Sequence, residues 1–228
     1  MVKKVAPSNP YRYERKFVIP KIMEHHIFSF LSNSKLCFSE IYNERTINNI
    51  YLDTYNYDFF YENVYGISDR KKVRIRWYGN LEKVFKPNLE LKIKSGNVGT
   101  KKIFKLKDSN LYELNNYLKL NNYFKKSNSL PDDIKLYLKS LYPVLINSYT
   151  RRYYESSNKI FRLTIDKSLK YSQLFNFSCS KRMKKEDFLI MEVKYQSDLN
   201  MNNFLNYFFP FNITKNSKYI FSLNNSIY

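Results

Sequence analysis

Lys72, Arg74 and Arg76 alternate with Val73, Ile75 and Trp77 in the stretch KVRIRWYG (72–79). A β-strand with this period carries three cations on one face and an apolar row on the other. Glu90, Lys92 and Lys94 repeat the pattern in ELKIK, and Arg162, Thr164 and Asp166 repeat it in RLTID. Glu192 and Lys194 flank Val193 in MEVKY, while SYTRRYY places Tyr149 and Arg151 together with Arg152 opposite. Guanidinium forks and ammonium groups at alternate positions suit one chemistry above others, the holding of phosphate oxygens.

Strands that are apolar outside and charged inside cannot form a sandwich with an oily centre. The expected fold is therefore α+β, a closed antiparallel β-barrel of about eight strands around a polar tunnel, with helices packed outside. Two like charges about 7 Å apart on alternate residues repel by about 2 kcal/mol at an effective dielectric near 20. Glu14, Glu90 and Glu192 are too few to neutralise the Lys and Arg of such a lumen. An anion of high charge density along the bore relieves that repulsion, and carboxylates at one end can hold a divalent cation that bridges phosphate oxygens.

The elements that must position these groups are legible along the chain. Strands are expected at 11–19, 45–54, 71–79, 88–96, 101–106, 144–156, 160–169 and 187–195. Helices are expected after Pro20 with Ile22, Met23, His26, Ile27 and Phe30 at helical spacing, over 55–66, and in NLYELNNYLKL. Two more are expected, one in PDDIKLYLKSLY capped by Ser129 and one in MNNFLNYFF (201–209). No repeat or linker divides the chain, so 1–228 reads as one domain with a motif-bearing core over about 11–223. The 39 Lys+Arg against 20 Asp+Glu leave a net charge of +19, which calls for a polyanionic partner: nucleic acid, an anionic lipid surface or a phosphorylated metabolite. Cys37 and Cys179 lack metal-ligand spacing and read as reduced thiols. The basic start MVKKVAPSNPY has no apolar leader, and no run of about 18 apolar residues exists, so a cytoplasmic protein without a membrane span is expected.

Eight pieces, in order over 11–223, resemble the polyphosphate-polymerase (VTC) domain of vacuolar transporter chaperone complexes, within the triphosphate tunnel metalloenzyme superfamily. They are RYERKF, IYLDT, RKKVRIRWYG, LELKIK, SYTRRYY, FRLTID, MEVKY and KNSKY. The resemblance implies that Lys16, Arg74, Arg76, Lys92, Arg151 and Arg162 bind phosphate in the tunnel, joined by Lys101 or Lys102. Glu14, Lys72, Lys94 and Lys194 share their strands and count as substrate-binding candidates with them. It implies that Glu192 holds a catalytic Mn2+ or Mg2+, and that Lys215 and Lys218, with Ser217 between, form a basic pair near the tunnel mouth. Superfamily members open with Glu-x-Glu-x-Lys; here the strand reads Arg12-x-Glu14-x-Lys16, which agrees with the VTC branch.

The implied activity is a phosphotransferase reaction, transfer of the γ-phosphate of ATP to inorganic polyphosphate, with no nucleic acid as physiological partner. The alternatives are hydrolysis of tripolyphosphate or nucleoside triphosphates on the same fold, and non-catalytic binding of nucleic acid or polyphosphate. Glu192 can also be read as an ion-pair partner of Lys194 or of a tunnel arginine, His25 and His26 as ordinary helix residues, and Lys181, Arg182, Lys184 and Lys185 as a solvated basic loop.

Overall fold

The computed structural model describes residues 12–96, 98–175, 178–179, 183–196 and 211–227. The strands are β1 (Arg12–Pro20), β2 (Ser39–Asp53), β3 (Arg70–Tyr78), β4 (Lys83–Val84), β5 (Asn88–Ser95) and β6 (Val98–Lys105). They continue as β7 (Ser109–Asn110), β8 (Tyr142–Glu155), β9 (Arg162–Phe175), β10 (Ser178–Cys179), β11 (Lys184–Lys185) and β12 (Phe188–Gln196). The helices are α1 (Glu24–Asn33), α2 (Asp58–Val64), α3 (Leu111–Leu114), α4 (Tyr117–Lys125), α5 (Asp132–Leu138) and α6 (Lys218–Ile227). The expected helix at 201–209, and Lys181 and Arg182 of the basic loop, lie outside the described residues.

The main sheet is antiparallel in every register given, in the hydrogen-bonded order β1-β12-β9-β8-β2-β3-β5-β6, with β10 and β11 also on β9. The fold is thus α+β around a large antiparallel sheet. The order has two ends, β1 and β6, and no described pairing joins them, so the expected closed barrel is not met by the strand hydrogen bonds. The reason is physical: alternation tells which way each side chain points, but closure depends on whether the terminal strands reach one another. Among the described residues, no helix is long and apolar enough to cross a membrane.

Two compact units share strands β2, β8 and β9. The first holds residues up to Glu44 with Arg151–Lys167 and Asp187–Asn216. Its core gathers Phe17 and Ile19 of β1, Leu163 and Ile165 of β9, and Met191 and Val193 of β12 under Ile27 and Leu31 of α1. Pro20 ends β1 and a 3-10 turn, Lys21–Met23, precedes α1, which leaves Ile22 exposed and His25 and His26 on the wet side. The turn offsets the expected helical register, so Leu31 takes the core place that Ile22 was expected to share.

The second unit holds Arg45–Thr150, Ser168–Glu186 and Ser217–Tyr228. Val73, Ile75 and Trp77 of β3 and Leu89 and Leu91 of β5 pack there against Leu120, Phe124, Ile134 and Leu138 of the helices. Trp77 is fully buried and its indole N–H donates to the Asn80 carbonyl at 2.9 Å, so the apolar row of β3 is core, as the alternation predicts. NLYELNNYLKL is split into α3 and α4, because Asn116 leaves helical geometry and its side chain accepts from the Lys119 N–H as an N-cap. Ser129 does not cap α5; its hydroxyl donates to the Lys105 carbonyl, and Pro131 stands at the cap position instead. Gly96, at φ +56, supplies the left-handed residue between β5 and β6.

Candidate functional site

Antiparallel register gathers the cations of the second unit on one face. Arg70, Lys72, Arg74 and Arg76 of β3 stand opposite Lys94, Lys92, Glu90 and Asn88 of β5, and Lys92 and Glu90 stand opposite Lys101 and Ile103 of β6. Lys102 stands opposite Leu91 and therefore belongs to the other face. Of the two lysines, Lys101 is therefore the neighbour of the cationic row. Lys94 is half-buried and Lys92 exposed.

Glu90 is the one acid on this face of β3, β5 and β6, and it sits at the centre. Arg74 donates to its Oε2 from Nη2 at 2.6 Å and Nε at 2.8 Å; Lys101 donates to Oε1 at 2.9 Å, with Arg76 Nη1 3.8 Å away. Arg76 Nε donates to Asn49 Oδ1 at 2.9 Å, whose own amide donates to Asn147 Oδ1 at 2.8 Å, while Nη2 reaches the Tyr149 hydroxyl at 3.4 Å. The Tyr51 hydroxyl lies 3.5 Å from Arg74 Nη1. Lys72 Nζ donates to Ser217 Oγ at 3.1 Å, and Lys218 lies 4.7 Å above the Tyr149 ring. A preformed array of donors results, held in place by one carboxylate, two amides and two phenols.

Burial alone would raise the Glu90 pKa, but the charges of Arg74 and Arg76, with hydrogen bonds from Lys101 and Arg74, hold it at about 2. Burial works against the Arg74 charge, yet Tyr51, Glu90 and Tyr149 keep its pKa above the ordinary value. A depressed carboxylate stabilises the fold above its unfolded pKa of 4.5 and loses that contribution as pH falls towards about 2, a term of about 3 kcal/mol. The urea midpoint of the wild type is therefore expected to fall more steeply than that of Glu90→Gln between about pH 4.5 and 2. Parallel curves would show that the pairing does not carry this pH dependence.

In the first unit the register makes a second, mixed array. Lys16, Glu192 and Thr164 form one cross-strand row of β1, β12 and β9; Glu14, Lys194 and Arg162 form the next. Lys16 bonds Glu14 at 2.9 Å and the Asn216 carbonyl at 3.1 Å, and Lys194 bonds Glu192 at 2.8 Å with Glu14 3.8 Å away. Arg151 grips the fully buried Asp166 carboxylate through both Nε, at 2.5 Å, and Nη2, at 2.7 Å. Arg162 pairs with Glu155 at 2.9 Å and has a side chain 60% exposed, so it is far more open to water than Arg76 at 12%. Lys215 is exposed and belongs to this unit, whereas Ser217 and Lys218 belong to the other.

Among the described residues no group of three or more His, Cys, Asp and Glu surrounds a metal position. Glu192 and Glu14 are nonetheless hard oxygen donors on adjacent strands. The Thr164 hydroxyl, opposite Glu192, is buried without a hydrogen-bond partner. That set fits Mg2+ or Mn2+ of the kind held by one or two carboxylates, with substrate phosphates and water completing the shell.

Sequence reasoning assigned no site role to Tyr51, Asn49 or Asn147; it listed Asp166 only as a face-sharing residue, and Glu90 as that and as one of three acids that partly neutralise the lumen. Asn147, Glu90 and Asp166 each lie in a strand at the spacing of a residue that was named, whereas no residue of β2 was named and Asn49 and Tyr51 carried no such signal. Which cation each would meet depends on cross-strand register, which alternation along one strand does not contain.

A family model described as the VTC domain matches residues 11–226. No curated protein matches the chain. Among solved structures, the chain is similar to HpAC1 from Hippeastrum, a candidate adenylyl cyclase with a dominant triphosphatase activity. The two are 16% identical with a TM-score of 0.54, covering 95% of this chain and 97% of that one. It is also similar to the PH1819 protein of Pyrococcus horikoshii OT3, at 12% identity and TM-score 0.51, with coverage of 94% and 99%. A candidate adenylate cyclase from Vibrio parahaemolyticus matches at 10% identity and TM-score 0.51, again with coverage of 94% and 99%. At these identities the likeness establishes the fold.

Proposed function

The chain belongs to the VTC domain family, and on that premise we propose that it is an ATP-dependent polyphosphate polymerase acting as one domain with a basic tunnel. The observation that carries this reading is the face of β3, β5 and β6, where Glu90 alone opposes Arg70, Lys72, Arg74, Arg76, Lys92, Lys94, Lys101 and Lys105. Such an excess suits an anion of high charge density lying against it. A terminal oxygen of the polyphosphate chain attacks the γ-phosphorus of ATP; the bond from that phosphorus to the β–γ bridging oxygen breaks, and ADP leaves with the electron pair. Phosphoryl transfer of this kind needs alignment and charge neutralisation more than a covalent nucleophile.

Arg74 and Arg76 neutralise the transferring group, and Lys72, Lys92, Lys101 and Lys218 hold the neighbouring phosphates. Glu90 keeps the guanidiniums aligned before substrate arrives. In the first unit Lys16, Arg151 and Arg162 bind phosphate as well, with Arg151 oriented by Asp166. Glu192, with Glu14 and Thr164, would hold Mn2+ or Mg2+, which when bound draws charge off the phosphate oxygens. ATP and polyphosphate in the cytoplasm are the proposed partners, and nucleic acid is not one.

The triphosphatase activity described for the Hippeastrum protein makes hydrolysis the second reading. Purified protein incubated with ATP and Mn2+ is expected to produce long-chain polyphosphate that exopolyphosphatase digests. Orthophosphate without polymer moves the assignment to hydrolysis. Salt-steep nucleic-acid binding that survives Arg74→Ala and ignores divalent metal sinks both.

A further inference from the structure

Two residues of the quoted motifs have no phosphate role, Asp53 of IYLDT and Tyr219 of KNSKY. The fold brings them into contact: the Tyr219 hydroxyl donates to Asp53 Oδ2 although the residues are 166 apart in sequence. Asp53 is fully buried, and its carboxylate also accepts from the backbone N–H of Thr54 at 2.7 Å, Phe59 at 2.9 Å and Phe60 at 2.9 Å. Four donors match the roughly four lone-pair directions of a carboxylate, which leaves it nothing for a metal or a moving proton. Asp53 is therefore a fastening, tying the start of α2 to the first turn of α6.

That first turn carries Ser217 and Lys218, the partners of Lys72 and Tyr149. The Tyr219 ring also stacks on Tyr51, with centroids 4.8 Å apart and planes at 21°, and Tyr51 in turn meets Arg74. The second half of α6 has anchors of its own, since Leu223 is fully buried and Lys184 bonds the Asn225 carbonyl. Losing the Tyr219–Asp53 bond would loosen the phosphate-facing end of the helix while leaving the helix docked.

We propose that Asp53 and Tyr219 are positioning residues that hold the Ser217–Lys218 turn against the cationic face for polyphosphate binding. This rests on the function proposed above. Tyr219→Phe keeps the ring stack and removes the bond. Tripolyphosphate affinity by calorimetry is expected to fall about tenfold, the order set by a binding-competent turn populated about a tenth of the time. The ATP KM is expected to rise with a smaller change in kcat. In a Lys218→Ala background, Tyr219→Phe is expected to cost clearly less than it does alone, because only the Ser217 contact with Lys72 is then left to lose; fully additive losses would overturn the proposal, because the tyrosine would then act through something else. Amide exchange without ligand separates this idea from the functional reading. The Phe221 amide, which closes the first turn on the Ser217 carbonyl, is expected to lose protection in Tyr219→Phe while amides from 223 onward keep theirs. Unchanged or uniformly lost protection overturns the lock. Wild-type protein that ignores tripolyphosphate overturns the functional reading, and with it the purpose given to the lock.

Discussion

Arg74→Ala is expected to lower polyphosphate synthesis by about three orders of magnitude, the scale of an arginine that neutralises a transferring phosphoryl group. Two losses combine. The guanidinium disappears from the centre of the cationic face, and Glu90 loses the partner that bonds its Oε2 at 2.6 and 2.8 Å. Removing one member of a buried pair costs about 3–5 kcal/mol when the other is stranded. Here Lys101 at 2.9 Å and Arg76 at 3.8 Å remain on Oε1. The expected stability loss is accordingly smaller, about 1–3 kcal/mol. Arg74→Lys separates the two effects. A lysine restores a charge beside Glu90 but not the planar fork, so stability should recover well while synthesis stays depressed by at least tenfold. Measuring product length and urea midpoint on both variants decides the matter. Synthesis restored fully by lysine would mean that charge, and not bidentate geometry, is what the site requires.

Glu192→Gln is the second large effect, an expected loss of at least about a hundredfold in Mn2+-dependent transfer. The side chain is nearly buried, beside the unpartnered Thr164 hydroxyl, and the substitution removes charge while keeping volume. Tripolyphosphate binding without metal should be unchanged or tighter, since one negative charge leaves the face proposed to bind phosphate. Titrating Mn2+ by its paramagnetic resonance in the presence of tripolyphosphate gives a readout independent of turnover. If Glu192→Gln binds Mn2+ and transfers phosphate like the wild type, Glu192 is an ion-pair partner of Lys194 and nothing more.

Much of the fold was legible because strand alternation is a local property. Val73, Ile75 and Trp77 had to be core once Lys72, Arg74 and Arg76 shared the other face, and the structure places them so. Helix breaks were less legible. Asn115 and Asn116 read as ordinary helix residues, although Asn116 competes for the backbone and starts a new helix. Lys101 and Lys102 were indistinguishable in sequence, because a one-residue shift in pairing exchanges their faces.

What the sequence by itself determined is the sign and spacing of the charges along each strand. Only the tertiary structure decided which acid meets which base: Glu90 with Arg74 and Lys101, Asp166 with Arg151, Asp53 with Tyr219. The reason is that side-chain direction follows from the backbone of one strand, whereas a partner is supplied by another strand or helix, tens of residues away, whose register is set by core packing.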